Sequence, residues 1–294
     1  KSDSTAAFAG SARIGSSSAA SRSTFRRYRR RVRRLAAVLL LSVAVTGCDD
    51  DGAVELSFRP DEGAELRYRT AVESVTVTDV PCEPPSRRAD RTTLETTQRV
   101  LDVGDDGVRV EVTLSRAGIG ERTFVVRFDR AAQLTAVEQV EGIPAAALGE
   151  LGLSEVFPAA AGAPPDRPLA PGDRWTIDDE VQLDADGEPT RLRGEGRLVE
   201  LGVEDGRDTA TVETTATLPV VTTTSSSSGT RNLVGEQTTE VEATYDLADG
   251  ALLRASSLTV GTFDVVLGPP PGGAGDPCSG TLDVEVRSRV TRQA

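Results

Sequence analysis

The chain has 294 residues, of which 46 are acidic and 33 are basic, and its formal net charge is −13 at pH 7. It contains no histidine, which excludes His-based catalytic triads, His metal ligands and histidine pH sensing. Residues 1–47 hold ten basic side chains and one acidic, so residues 48–294 hold 23 basic and 45 acidic. An acidic region of this kind repels nucleic acid, and we expect no nucleic-acid partner.

The N-terminal region has the layout of an export signal. Residues 1–24 are rich in Ser, Ala and Gly, which predicts a disordered extension. Seven arginines follow between Arg26 and Arg34, and then an apolar run of about 11 residues from Leu35 to Val45. This run is well short of the roughly 20 residues that cross a bilayer. Residues 25–47 are therefore predicted to be a secretory signal peptide.

The signal ends in Val45-Thr46-Gly47-Cys48. This motif resembles the lipobox of bacterial lipoproteins. The resemblance implies cleavage between Gly47 and Cys48 and a diacylglycerol on the Cys48 thiol. Two acyl chains hold a protein firmly on a membrane. The resemblance therefore implies that the protein is anchored in the membrane through this lipid, at the outer face of the cell membrane. Residues 48–53 are then a tether; the alternative is an ordinary secretory signal with an unmodified Cys48.

Two cysteines remain beyond the lipobox, Cys82 and Cys278, each directly after a proline. An even number of cysteines in an oxidising compartment predicts a disulfide, and we expect these two to pair. The alternative is two free thiols.

From Val54 onward the hydrophobic pattern has a period of two. An apolar face that alternates with a charged or threonine face is typical of antiparallel strands packed on one side. Asp-Gly turn signals separate several of these runs. The fold class is therefore predicted to be all-β and antiparallel, with strands in the segments Leu66–Arg69, Val75–Val77, Val108–Leu114, Phe124–Phe128, Trp175–Ile177, Ala210–Val212, Val241–Leu247 and Leu282–Val286.

The β region also shows an internal repeat. Residues 98–112 resemble residues 196–212, and residues 124–129 resemble residues 241–246. We predict two related β-meander halves, residues 54–142 and 171–294, that form a sandwich or an open barrel. In this alignment Tyr68 and Trp175 open the two halves at matching positions.

Three segments interrupt the strand pattern. Residues 143–170 lie between the halves and predict a short helix within Ile143–Phe157, followed by a Pro/Ala-rich linker. Thr222–Thr230 and Gly268–Pro277 are rich in Thr/Ser/Gly and in Pro/Gly, and we expect both to be exposed loops.

Little in the sequence points to catalysis. Asp184-Ala-Asp186-Gly187-Glu188 resembles part of a calcium loop but lacks the remaining ligands, so a hairpin turn is expected there. No metal site, cofactor or catalytic residue is predicted. Tyr68 and Trp175 are candidates for a ligand surface, and the alternative is that both belong to the core.

These features predict a membrane-anchored lipoprotein of the cell envelope whose β domain is a non-enzymatic binding or structural module. The alternative is a carrier that holds a lipid or another apolar ligand in a β cavity. A third hypothesis is a hydrolase that uses carboxylates, which are abundant in the chain.

Overall fold

The computed structural model describes residues 52–105, 107–144, 153–158, 161–162, 164–181, 190–226, 229–269 and 276–294. Over these residues the protein is all-β, as the sequence predicts. The described part contains one helical turn, α1 (Leu153–Val156). The strands are β1 (Glu65–Asp79), β2 (Ser86–Gly104), β3 (Gly107–Arg116), β4 (Gly120–Phe128), β5 (Leu134–Gly142), β6 (Arg174–Val181), β7 (Thr190–Glu204), β8 (Arg207–Ser226), β9 (Gly229–Asp246), β10 (Leu252–Gly268) and β11 (Cys278–Arg292).

All eleven strands of the described chain form one antiparallel sheet in the order β5-β4-β3-β2-β1-β11-β10-β9-β8-β7-β6. It consists of two meanders, β1–β5 and β6–β11, joined where the first strand pairs with the last. This seam runs from Tyr68 opposite Arg292 to Asp79 opposite Thr281. The sheet is open, because β5 and β6 are its edges and are not paired with each other.

The strands predicted from alternation lie within observed strands, except that Leu247 follows the end of β9 at Asp246, whereas the predicted loop at Thr222–Thr230 is wrong. Most of Thr222–Thr230 is not a loop, since β8 continues to Ser226 and β9 begins at Gly229. Threonine is β-branched and favours extended backbone, and that preference prevails over the polarity of the run. Val54 does not begin a strand but forms an isolated bridge with Leu169.

Side chains alternate between an outer charged face and an inner buried face. In β1, every second side chain from Leu66 to Val72 is buried and its neighbours are exposed. The inner positions of the other strands continue this surface into one main hydrophobic cluster, which includes Leu94, Phe128, Leu198 and Val290. The core therefore lies on one face of a single sheet.

The N-terminal arm, residues 52–59, crosses the end of the sheet where β1 begins. The Phe58 N–H donates to the Arg130 carbonyl after β4 (2.7 Å), and the Arg59 N–H donates to the Asp249 carbonyl after β9 (2.9 Å). Strands β4 and β9 are six positions apart, roughly 29 Å in a flat sheet at about 4.8 Å per strand. Adjacent Cα atoms are only about 3.8 Å apart, so the sheet must curve strongly around its inner face.

Gly250 allows the arm to dock. Its φ is +67°, and an added Cβ would lie 2.0 Å from the Ser57 carbonyl oxygen. Gly250→Ala is expected to lower the free energy of unfolding by about 3 kcal/mol, because left-handed strain of about 1–2 kcal/mol is joined by loss of arm packing. Denaturant unfolding measures the loss, and limited proteolysis should cut the arm faster.

Gly206→Ala is the matched control for this substitution. Gly206 has a φ of +78°, but no atom lies within 4 Å of the position that an added methyl group would take, so only the backbone strain applies. Equal losses for the two variants would mean that the contact between Gly250 and the arm contributes nothing.

Each meander opens with the same hydrogen-bond arrangement. In the first, the Gly63 N–H donates to the Val100 carbonyl (3.1 Å), and the Val100 N–H donates to the Ala64 carbonyl (2.9 Å). The register between β2 and β3 then shifts directly after Val100. Gly63 has a φ of +79°.

The second meander repeats this arrangement residue by residue. The Gly172 N–H donates to the Leu198 carbonyl (2.8 Å), and the Leu198 N–H donates to the Asp173 carbonyl (3.0 Å). The register between β7 and β8 shifts directly after Leu198. Gly172 also has a positive φ, of +94°.

Candidate functional site

The inner face of the curved sheet is covered by the chain itself. The cover segment, which comprises the described residues 153–158, 161–162 and 164–169, begins with α1 and carries buried apolar side chains into the main cluster. The Phe157 ring makes edge contacts with Phe124 (5.4 Å between centroids) and Phe128 (6.2 Å) of β4. Residues predicted as a simple linker thus contribute to the core, Ala161 and Leu169 among them.

Glu155 fixes the cover segment to the centre of the sheet. Its carboxylate is only 2% exposed and accepts hydrogen bonds from the Ser257 hydroxyl of β10 (2.9 Å) and the Ser288 hydroxyl of β11. The two serines are directly opposite each other in the β10–β11 pairing. We call Glu155, Ser257 and Ser288 the latch. The latch therefore holds α1 on the sheet.

Removing the latch carboxylate is expected to destabilise the fold. Glu155→Ala should lower the free energy of unfolding by about 2–3 kcal/mol, since two serine hydroxyls lose a charged acceptor. Glu155→Gln keeps an acceptor oxygen and should lose about 1 kcal/mol. Urea unfolding measures both, and Glu240→Ala on the exposed outer face should change stability by less than about 0.5 kcal/mol.

Tyr68 and Trp175, the aromatic residues predicted as a ligand surface or as core, are both buried in the main cluster. The Trp175 indole lies on Gly196 of the neighbouring strand, where an added Cβ would be 2.2 Å from the ring. The repeated hydrogen bonds make Trp175 equivalent to Leu66, so it does not match Tyr68 as the sequence alignment predicted. In this structure neither aromatic side chain forms an exposed platform.

Five buried polar side chains near the arm lack a hydrogen-bond partner among the described residues. They are Tyr68, Thr70, Thr96, Gln98 and Tyr245, each 2% exposed or less. We call this set the inner polar patch. Burial raises the pKa of both tyrosines far above the usual range, so both phenols remain protonated and able to donate. Native proteins leave few buried polar groups unpaired, so the patch requires an explanation.

The inner face continues beyond the latch to the other end of the sheet. A second, smaller cluster lies there and contains Val80, Phe263, Val265 and Leu282. The predicted disulfide between Cys82 and Cys278 is confirmed and lies beside this cluster, with Cα atoms 6.1 Å apart. It joins the β1–β2 turn to the start of β11.

The outer face of the described sheet carries ion pairs. Hydrogen bonds from Arg109 hold the pKa of Glu138 below its usual range, and those from Arg191 do the same for Asp178. Two open, charged depressions of about 360 and 400 Å³ lie at the arm end, lined in part by Arg67 and by Arg99. Within the described ranges, no group of three Cys, Asp or Glu side chains has the geometry of a metal site.

Several predicted features lie outside the described residues. These are the N-terminal extension, the signal peptide, the lipobox with Cys48, most of the tether, most of the predicted helix, the Asp184–Glu188 turn and most of Gly268–Pro277. The latch was missed at the sequence level. Its signal was a glutamate inside the apolar run Leu153-Ser-Glu-Val-Phe157, where a charge requires buried partners.

No protein-family model matches the chain, and neither the curated proteins nor the solved structures yield a significant match. The described residues contain no helix with the length and apolar character that a membrane span needs.

Proposed function

We propose that the β domain is a non-enzymatic binding module that carries an apolar ligand against its inner face. The observation that carries this proposal is the occupation of that face by the chain's own cover segment. Val156, Phe157 and Ala161 are detached from the strand ladder and fill the space inside the curved sheet. A ligand of similar apolar character can replace them, because binding exchanges one buried apolar surface for another.

The carrier is proposed to be anchored in the cell envelope through a lipid on Cys48. The lipobox-like motif supports this location, and the Cys82–Cys278 disulfide is typical of an exported protein. The acidic character of residues 48–294 keeps the domain away from anionic headgroups.

We further propose that the two meanders are related halves of one open barrel. The equivalent hydrogen bonds of Gly63 and Gly172, and the register shifts after Val100 and Leu198, support this relation. Both halves contribute to one inner face, and the ligand site is therefore shared between them.

Mass spectrometry of the protein extracted from bacterial membranes tests the proposal. Under denaturing conditions, the expected mass is that of residues 48–294 plus a diacylglyceryl group. Under native conditions, a bound apolar molecule should be present in stoichiometric amount. A Cys48→Ala variant should lack the anchor lipid, and its domain should still bind the same molecule. A parent protein without the diacylglyceryl group would contradict the proposed anchor. A parent protein without a bound apolar molecule would contradict the proposed carrier function.

A further inference from the structure

The inner polar patch has the features of a ligand subsite. Tyr68 and Thr96 face each other directly across β1 and β2, where paired Cβ atoms are about 4.5–5.5 Å apart. Thr70 and Gln98 are the next inner positions on β1 and β2, one on each side of this pair because the strands are antiparallel. The four side chains thus occupy adjacent inner positions, and their polar atoms lack partners among the described residues.

Tyr245 reaches the same region from the second meander. Its side chain belongs to the same hydrophobic cluster as Tyr68, and its hydroxyl is buried without a partner among the described residues. The cover segment closes the patch at this point. A Cβ added at Gly162 would lie 3.3 Å from the Tyr245 hydroxyl oxygen.

The chemistry of the patch selects a neutral partner. It offers four hydroxyl groups and one amide, and none of its five side chains carries a formal charge. The nearby Arg292 guanidinium already contacts the Asp249 carboxylate (3.4 Å). A buried anionic headgroup would lack a counter-charge, whereas ester carbonyls accept from the hydroxyls and a free hydroxyl donates to Gln98.

We propose that the inner polar patch binds the neutral ester-and-hydroxyl headgroup of an acylglycerol-type lipid, which enters as the cover segment leaves. This inference rests on the proposed carrier function and adds the headgroup class and its orientation. The headgroup lies at the end closed by the N-terminal arm. The acyl chains extend along the inner positions of β1 and β11 toward the disulfide, past Val72, Val286 and Val284.

Two lipids with identical acyl chains and an alkane without a headgroup test the headgroup class on the full protein purified from membranes and delipidated. They are 1,2-dioleoylglycerol, dioleoylphosphatidic acid and octadecane, with dissociation constants measured by fluorescent-lipid displacement. We expect dioleoylglycerol to bind at least about tenfold more tightly than the other two. Tyr68→Phe and Gln98→Leu should each weaken dioleoylglycerol binding about 5–10-fold, as expected for one lost hydrogen bond, and leave octadecane binding unchanged.

Thr113→Val is the matched control. It removes a hydroxyl that pairs with Thr123, outside the patch, and should not change any of the three affinities. Melting temperatures check that Tyr68→Phe and Gln98→Leu fold. Neither substitution should lower the melting temperature much, since each removes unpaired polar atoms.

The outcomes separate the subsite from the carrier function. If all three ligands bind equally well to the parent protein and to the variants, the carrier function stands and the subsite is overturned. Ordered water would then be the hydrogen-bond partner of the patch. Tighter binding of the phosphatidic acid overturns the neutral headgroup. If none of the lipids binds, the carrier function fails together with the subsite.

Discussion

The double variant Cys82→Ser, Cys278→Ser is expected to lose about 4–5 kcal/mol of unfolding free energy. The two cysteines are 196 residues apart, and a bridge that closes a loop of this length removes much conformational entropy from the unfolded chain. The bridge also lies at the seam, where β1, the first strand of the sequence, pairs with β11, the last. Urea unfolding of the variant and of the oxidised parent measures the difference.

Serine keeps the side-chain size, so packing beside Val80 and Leu282 changes little. The reduced parent protein is the control and should unfold at the same urea concentration as the double variant. A loss below about 1 kcal/mol would show that strand pairing holds the seam without the bridge. The bridge would then restrict little of the unfolded ensemble. In that case residual contacts between the meanders persist after unfolding.

The sequence determines the strands better than their arrangement. The alternation of apolar and polar residues located segments such as Val108–Leu114 and Phe124–Phe128 correctly, because one face of each strand is buried more deeply than the other. The pairing of β1 with β11 depends on contacts between residues about 200 positions apart, and a local pattern does not encode them. The curvature likewise follows from arm contacts at Phe58 and Arg59, which no periodicity predicts.

The candidate site was less accessible to sequence reasoning. Tyr68 was singled out as an aromatic residue and belongs to the inner polar patch, but other polar side chains of the candidate site, such as Glu155, Gln98 and Thr96, were not identified. In a strand, threonine and glutamine at inner positions resemble ordinary strand residues, so their burial appears only when the cover segment is placed. The disulfide was predictable, because the two cysteines beyond the lipobox-like motif leave a single intramolecular pairing.

Phe157→Ala is expected to have two effects that test the cover segment directly. Phe157 is 2% exposed and contacts two aromatic rings of β4, so its truncation should lower the free energy of unfolding by about 3–5 kcal/mol. The exposed Ile119 provides the control, since Ile119→Ala should change stability by less than about 0.5 kcal/mol.

The second effect of Phe157→Ala concerns binding. If a ligand replaces the cover, weakening the cover lowers the free energy needed to displace it, and affinity for dioleoylglycerol should rise as stability falls. Glu155→Ala should act in the same direction, because it releases α1 from Ser257 and Ser288. Loss of stability with unchanged affinity in both variants would mean that the cover and the ligand do not compete. The inner face would then be a permanent core, and binding would have to use another surface.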